Sequence, residues 1–147
     1  MQEYLTHRQY YLQYLQAQES LRTIIDEREM LFQMTQPKSS VSDAERVNGG
    51  TRTNKAEEYV IALEQRRIKE RTEEAKDILQ DRLLLLKQKE SEIRKSQDIW
   101  TMVYVARYID GMKPDRIQRS LEYQDVYYSR SQIYEILRHL KKQLKRF

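Results

Sequence analysis

The sequence predicts an all-α protein, with a long helical coiled-coil stem over 1–96 and a compact three-helix head over 97–147. Three observations carry this. Only three glycines and two prolines occur, and they fall at two joints: Pro37 with Gly49 and Gly50, then Gly111 with Pro114. The stretches between are rich in Gln, Glu, Leu, Arg and Lys, which lose little rotamer freedom in a helix. Apolar residues follow a narrow stripe before residue 96 and broader faces after it, the contrast between a coiled-coil seam and a globular helix.

The first helix is expected over 2–34, with Leu5, Leu12, Leu15, Leu21, Ile25 and Phe32 on or near one stripe and Tyr4 and Tyr11 beside it. The tyrosines Tyr4, Tyr10, Tyr11 and Tyr14 suit packing of amphipathic rings against a partner helix better than base stacking. Residues 35–54 read as a linker, since twelve of the twenty are Thr, Ser, Asn, Asp, Gly or Pro. Ser42 with Glu45 suits one capped helical turn inside it. A second long helix is expected from an Asn54 cap to about Ser96. Ile61, Ile68 and Ala75 repeat every seven residues there, as do Leu79, Leu86 and Ile93 with Thr72 and Gln65 upstream. Its charged middle makes it marginal alone, so it needs a partner helix. That partner can be the first helix or a second copy of the chain.

The head divides into three helices. Trp100, Val103, Ala106 and Ile109 give the helix 97–110 an apolar face, and Gly111 suits a left-handed C-cap. Pro114 opens a short helix, 114–122, with Ile117 and Leu121 spaced to bury one side. After a turn at 123–128, Ser129 and Gln132 form a capping box for the last helix, 129–145. Ile133, Ile136, Leu137, Leu140 and Leu144 share one face of it, opposite Ser131, Tyr134, Glu135, Arg138 and Lys142.

Composition narrows the function. The chain carries 27 Lys and Arg against 23 Asp and Glu, a formal charge of +4, and its mean hydropathy is −0.92. Residues 1–96 balance at 17 basic and 17 acidic, so the excess lies in 97–147, with 10 against 6. Residues 129–147 hold Arg130, Arg138, Lys141, Lys142, Lys145 and Arg146 against Glu135 alone. Such a surface attracts polyanions, because neutralised phosphates release counterions. Charge alone fits a basic helix end complementing its own dipole as well. No run approaches the roughly 18 apolar residues of a membrane span. The start, MQEYLTHRQYY, does not read as a secretory signal, and a cytoplasmic, membrane-free protein is expected. With no cysteine, thiolate metal sites, disulfides and cysteine nucleophiles are excluded. His7 and His139 are the only histidines and lie at no ligand spacing, and no glycine-rich phosphate loop occurs. The expectation is a non-enzyme with no cofactor and no metal.

A support helix, a short second helix and a third helix with one buried and one exposed face are the parts of a helix-turn-helix. In that arrangement Arg130, Ser131, Gln132, Tyr134, Glu135 and Arg138 would read base edges in the major groove of double-stranded DNA. Lys113, Arg116, Arg119, Tyr127, Tyr128, Lys141, Lys142, Lys145 and Arg146 would contact the sugar-phosphate backbone. A three-helix interaction domain with a solvated charged face uses the same pattern.

The runs Arg-Tyr-Ile-Asp-Gly (107–111), Pro-Asp-Arg-Ile-Gln-Arg-Ser-Leu (114–121) and Ser-Arg-Ser-Gln-Ile-Tyr (129–134) resemble region 4 of sigma-70-type factors. There an Arg-Tyr-x-x-Gly turn precedes an Ile-Ala-x-x-Leu helix and a Ser-Arg-Ser-x-Val-Tyr recognition start. The upstream layout of long helix, polar joint and charged helix is similar to phage late-operon regulators of the RinA and ArpU type. The resemblance is specific over about 107–141. It implies a transcriptional activator of phage genes in the bacterial host cytoplasm, for which host RNA polymerase is a candidate partner; the stem is expected to mediate self-association as a homodimer or higher homo-oligomer. Two departures stand out: Gln118 replaces the small Ala between the two reader helices, and the turn 122–128 is several residues longer than usual. Two rivals stand beside this reading. One is a phage small terminase subunit, a ring that serves DNA packaging; the other is a structural adaptor whose basic head binds protein.

Overall fold

A computed structural model describes residues 2–35 and 55–146. Residues 36–54, where most of the linker, the Ser42–Glu45 turn and the Asn54 cap are expected, lie outside the described residues. Among the described residues the chain is helical, with no strand. The elements are α1 (Glu3–Thr35), α2 (Lys55–Gln65), α3 (Ile68–Arg94), α4 (Ile99–Tyr104) continued by a π-helical turn (Val105–Ile109), α5 (Pro114–Tyr123) and α6 (Arg130–Leu144). No helix is long and apolar enough to cross a membrane.

Contacts divide the chain into two compact units, one of residues 1–14 with 82–147 and one of residues 15–81. The unit holding α4–α6 therefore extends beyond 97–147 and takes in the start of α1 and the end of α3. Its core joins Tyr4, Ile93, Val103, Tyr104, Ile117, Leu121, Ile133, Leu140 and Leu144. Burying an aliphatic side chain of this size contributes about 1.5–3 kcal/mol. Tyr4 keeps its polar end satisfied while its ring is fully buried: the hydroxyl donates to Gln143 Oε1 at 2.6 Å. Its ring lies 5.5 Å from that of Tyr104. His7 is bonded on both nitrogens, with Nδ1 2.7 Å from the Tyr104 hydroxyl and Nε2 3.3 Å from Glu90 Oε1. The contacts His7–Glu90 and Gln13–Arg82 run in opposite chain directions, so α1 and α3 pair antiparallel here, within one chain.

The second unit packs Ile24 and Leu31 of α1 on Ile68 and Ala75 of α3, with Leu21, Tyr59, Ala62 and Leu63 at the margin. Glu27 fastens its flank, accepting from Arg71 at 3.0 Å and from Arg66 at 3.2 Å. Phe32 meets Tyr59 edge-on at 5.3 Å between ring centres.

Two expectations about the long helices are corrected. The stripe on α1 is turned by one residue, about 100° of rotation at 3.6 residues per turn. Ala17, Ile24 and Leu31 are buried, whereas Leu15, Ile25 and Phe32 are exposed. Two seven-residue series lie side by side here, and they differ at their upper position, where one has Ala17 and the other Gln18. The small residue is the one turned inward, at 7% exposure. The second correction concerns 54–96, which is two helices. Arg67 takes a left-handed conformation (φ 53°), and α2 ends before it. Arg71 donates to the Arg66 carbonyl released at this break. The break resets the helical phase, so Ile61 and Val60 are half exposed while Ile68 and Ala75 stay in the core.

The features expected at the joints of the last fifty residues are present. Gly111 has φ 67°. Pro114 sits in the first turn of α5, and both halves of the Ser129–Gln132 capping box form. The helix before Gly111 is not α-helical throughout. Its N-cap is Asp98, whose carboxylate accepts from the Thr101 backbone and hydroxyl at 3.1 Å each. Its last turn widens to a π-helix closed by Asp110 N–H on the Val105 carbonyl. Arg94 grips Asp110 with two hydrogen bonds, 2.8 and 3.3 Å, which ties this turn to the end of α3.

Candidate nucleic-acid interface

The helix α6 lies with Ile133, Ile136, Leu140 and Leu144 in the core and Leu137 half-buried. That burial forces the opposite face outward, since side chains three and four apart share a face. Arg130, Ser131, Gln132, Tyr134, Glu135 and Arg138 are all exposed, as are Lys141, Lys142, Lys145 and Arg146 beyond them. The six side chains singled out for base reading are not equally free. Gln132 is engaged at the cap, its Oε1 accepting from the Ser129 N–H at 2.9 Å. Arg130 Nε is 3.1 Å from Asp115 of α5, and its guanidinium lies 5.5 Å over the Tyr134 ring. Asp115 and the Tyr134 ring thus hold the Arg130 side chain over the start of α6, a role the sequence did not flag for Asp115. Glu135 and Arg138 enter no ion pair among the described residues.

The side chains proposed for the sugar-phosphate backbone fall on two elements and a turn. Lys113, Arg116 and Arg119, at the start of α5 and along it, are exposed. Tyr127 is 74% exposed, which leaves it available for contact. Tyr128 is half-buried against the core, so its ring is only partly presented.

Gln118 and the turn before α6 are linked directly. Gln118 reaches across the longer turn and donates from Nε2 to the Tyr128 carbonyl at 3.2 Å. The Gln118 amide thereby gives that backbone carbonyl a hydrogen-bond donor. The turn itself closes through Asp125 in a left-handed conformation (φ 60°), with the Val126 N–H on the Leu121 carbonyl. Asp tolerates that conformation better than most residues. Ile117 and Leu121 remain buried beneath it.

Grooves flank α6 on two sides. One, of about 450 Å³, is lined by Trp100, Tyr128, Gln132, Glu135, Ile136 and His139. The Trp100 and His139 rings meet edge-on there at 5.9 Å. The other, of about 670 Å³, is walled by Arg138, Lys141 and Lys145 of α6, by Arg107 and Tyr108 of the π-helical turn, and by Arg8 of α1. Sequence reasoning assigned Arg8 no role and marked Arg107 only as the start of the Arg-Tyr-Ile-Asp-Gly run, since no motif links the start of the chain to its end.

Among the described residues no group of three His, Asp or Glu is placed to hold a metal ion. No protein family, curated protein or solved structure matches this chain.

Proposed function

We propose that the protein is a sequence-specific double-stranded-DNA-binding transcriptional activator of phage late genes. It would read the major groove with α6 as the recognition helix of a helix-turn-helix, with the long helices serving as a coiled-coil stem for self-association. The observation that carries this is the division of α6: a fully apolar inner face and an outer face of Ser131, Tyr134, Glu135 and Arg138, followed by Lys141, Lys142, Lys145 and Arg146. Arg can grip guanine O6 and N7 and Glu can accept from cytosine N4, so the first group suits base edges. The second suits phosphates, which fix register without carrying sequence. The resemblance to region 4 of sigma-70-type factors and to RinA- and ArpU-type regulators supplies the gene class and the polymerase contact.

Self-association would double the phosphate contacts and set half-site spacing. The exposed apolar residues Met30, Phe32, Met34, Val60 and Ile61 offer surface for it. Fragments retained from a genomic library by the full chain should define the operator. On that operator Arg138→Ala should cost about 1–3 kcal/mol and relax preference at one or two positions, while Lys145→Ala should weaken all sequences alike. A folded protein that binds no duplex even at low salt overturns the proposal and favours the adaptor. A ring of many subunits by mass determination favours the terminase.

A further inference from the structure

The groove beside α6 has a chemistry of its own. Among the described residues five cations line it, Arg8, Arg107, Arg138, Lys141 and Lys145, and no carboxylate does. Among the described residues none of the five is in an ion pair, whereas Arg66, Arg71, Arg94 and Arg130 all are. Arg107 spends one N–H on the Met112 carbonyl at 3.0 Å, which fixes its stem and leaves its charge uncompensated. Arg8 lies 5.2 Å over the Tyr11 ring, and its Nε is buried with no hydrogen-bond partner. Holding several like charges together without counter-charge is unfavourable unless a polyanion supplies it. The large groove in the other unit differs: Arg28, Lys69 and Lys76 there face Glu64, Glu70 and Glu73.

The geometry points to this groove as a phosphate track: it takes one sugar-phosphate strand of the DNA alongside α6, with Arg8 and Arg107 gripping it from outside the recognition helix. The inference rests on the DNA-binding reading and adds the start of α1 to the contact surface. Because α1 also runs into the second unit, a long helix shared with the stem would then touch DNA directly. Phosphate contacts carry no base information, so Arg8 should govern affinity and salt dependence but leave sequence preference alone.

The test uses the full chain and a labelled 30-base-pair duplex of arbitrary sequence, titrated between about 50 and 300 mM salt, where backbone contacts dominate. Arg8→Gln should weaken binding roughly threefold to tenfold and flatten the plot of log K against log salt by about one contact's worth. Arg8→Lys keeps the charge and should retain the slope. Lys76→Gln, in the charge-balanced groove, should change neither quantity. A duplex affinity that falls in Lys142→Ala and Lys145→Ala but not in Arg8→Gln overturns the track and leaves the α6 reading standing. Weaker binding by Arg8→Gln with the salt slope unchanged also overturns it, since that pattern marks a structural disturbance. Absence of any duplex binding by the parent chain removes both readings together.

Discussion

The two units of this protein are built from the same long helices, yet they differ in charge and in core. Residues 1–14 with 82–147 carry 16 Lys and Arg against 9 Asp and Glu, a balance of +7. Residues 15–81 carry 11 against 14, a balance of −3. A boundary at residue 97 hid this contrast, because residues 82–96 at the end of α3, with 5 Lys and Arg against 2 Asp and Glu, belong to the basic unit, while Glu3 offsets Arg8 in residues 1–14. The core of the basic unit is broad and gathers side chains from α1 and from every helix after α2, whereas among the described residues the core cluster of the acidic unit is a short seam of Ile24, Leu31, Ile68 and Ala75. Under the proposed DNA binding, charge segregated in this way would draw the polyanion to the basic unit and away from the acidic one.

The contrast can be broken most decisively in the cores. Ile133 has no exposure, and Ile133→Ala should destabilise the chain by about 2–5 kcal/mol, as for other buried Ile truncations. Ile61→Ala, at a position 51% exposed, should stay within about 0.5 kcal/mol in the same urea titration. Equal losses at the two positions would mean that the acidic unit is packed by something beyond the seam described. Next in size is the α6 cap. Ser129→Ala removes half of the capping box and should cost about 1 kcal/mol. Hydrogen exchange should report the opening in the first turn of α6 and leave α2 unchanged.

Acid should separate the units by pH window. Burial pushes His7 below its ordinary value of 6.5, and the Glu90 carboxylate only partly offsets this. The neutral form is therefore the one the fold favours. Its contribution is complete above the unfolded value and is lost as pH falls from about 6.5 through the lowered folded value. Glu27 is held below the ordinary carboxylate range chiefly by its hydrogen bond from Arg71, so the contribution of this one group is complete above about pH 4.5 and is lost as pH falls through the lowered value. Trp100 is the single tryptophan and belongs to the basic unit. Melts followed by its fluorescence should weaken between pH 7.5 and 5.5, and His7→Gln should abolish that dependence. A pH response that persists in His7→Gln would assign it elsewhere. The smallest effect expected is at the break between α2 and α3. Arg67→Gly should alter stability by less than about 1 kcal/mol, because glycine accepts the left-handed backbone, whereas a β-branched residue there should cost more. A large loss on Arg67→Gly would show that the arginine side chain, not the backbone turn, holds the break.

Local chemistry was legible from the residues alone. Gly111, Pro114, Ser129 and Gln132 each act within a few residues of themselves, through a backbone angle, a missing N–H or a reciprocal cap, so their roles follow from spacing. The outward face of α6 was legible for a related reason: once Ile133, Ile136, Leu140 and Leu144 are buried, helical geometry leaves Ser131, Tyr134 and Arg138 no other direction. The phase of α1 was not legible, because Ile24 stands beside Ile25 and Leu31 beside Phe32, and hydrophobicity does not choose between such neighbours. Nor was the break at Arg67, where no Gly or Pro marks the left-handed turn.

The all-helical architecture, the position of the joints within 97–147 and the amphipathic division of α6 were thus determined by the sequence itself, since each depends on interactions between residues close along the chain. Tertiary structure decided which stripe of α1 is buried, where the second long helix is interrupted, and that Arg8 shares a groove with Arg107, Arg138, Lys141 and Lys145. Those outcomes depend on how closely one backbone can approach another and on charges brought together from opposite ends of the chain, quantities that no local pattern encodes.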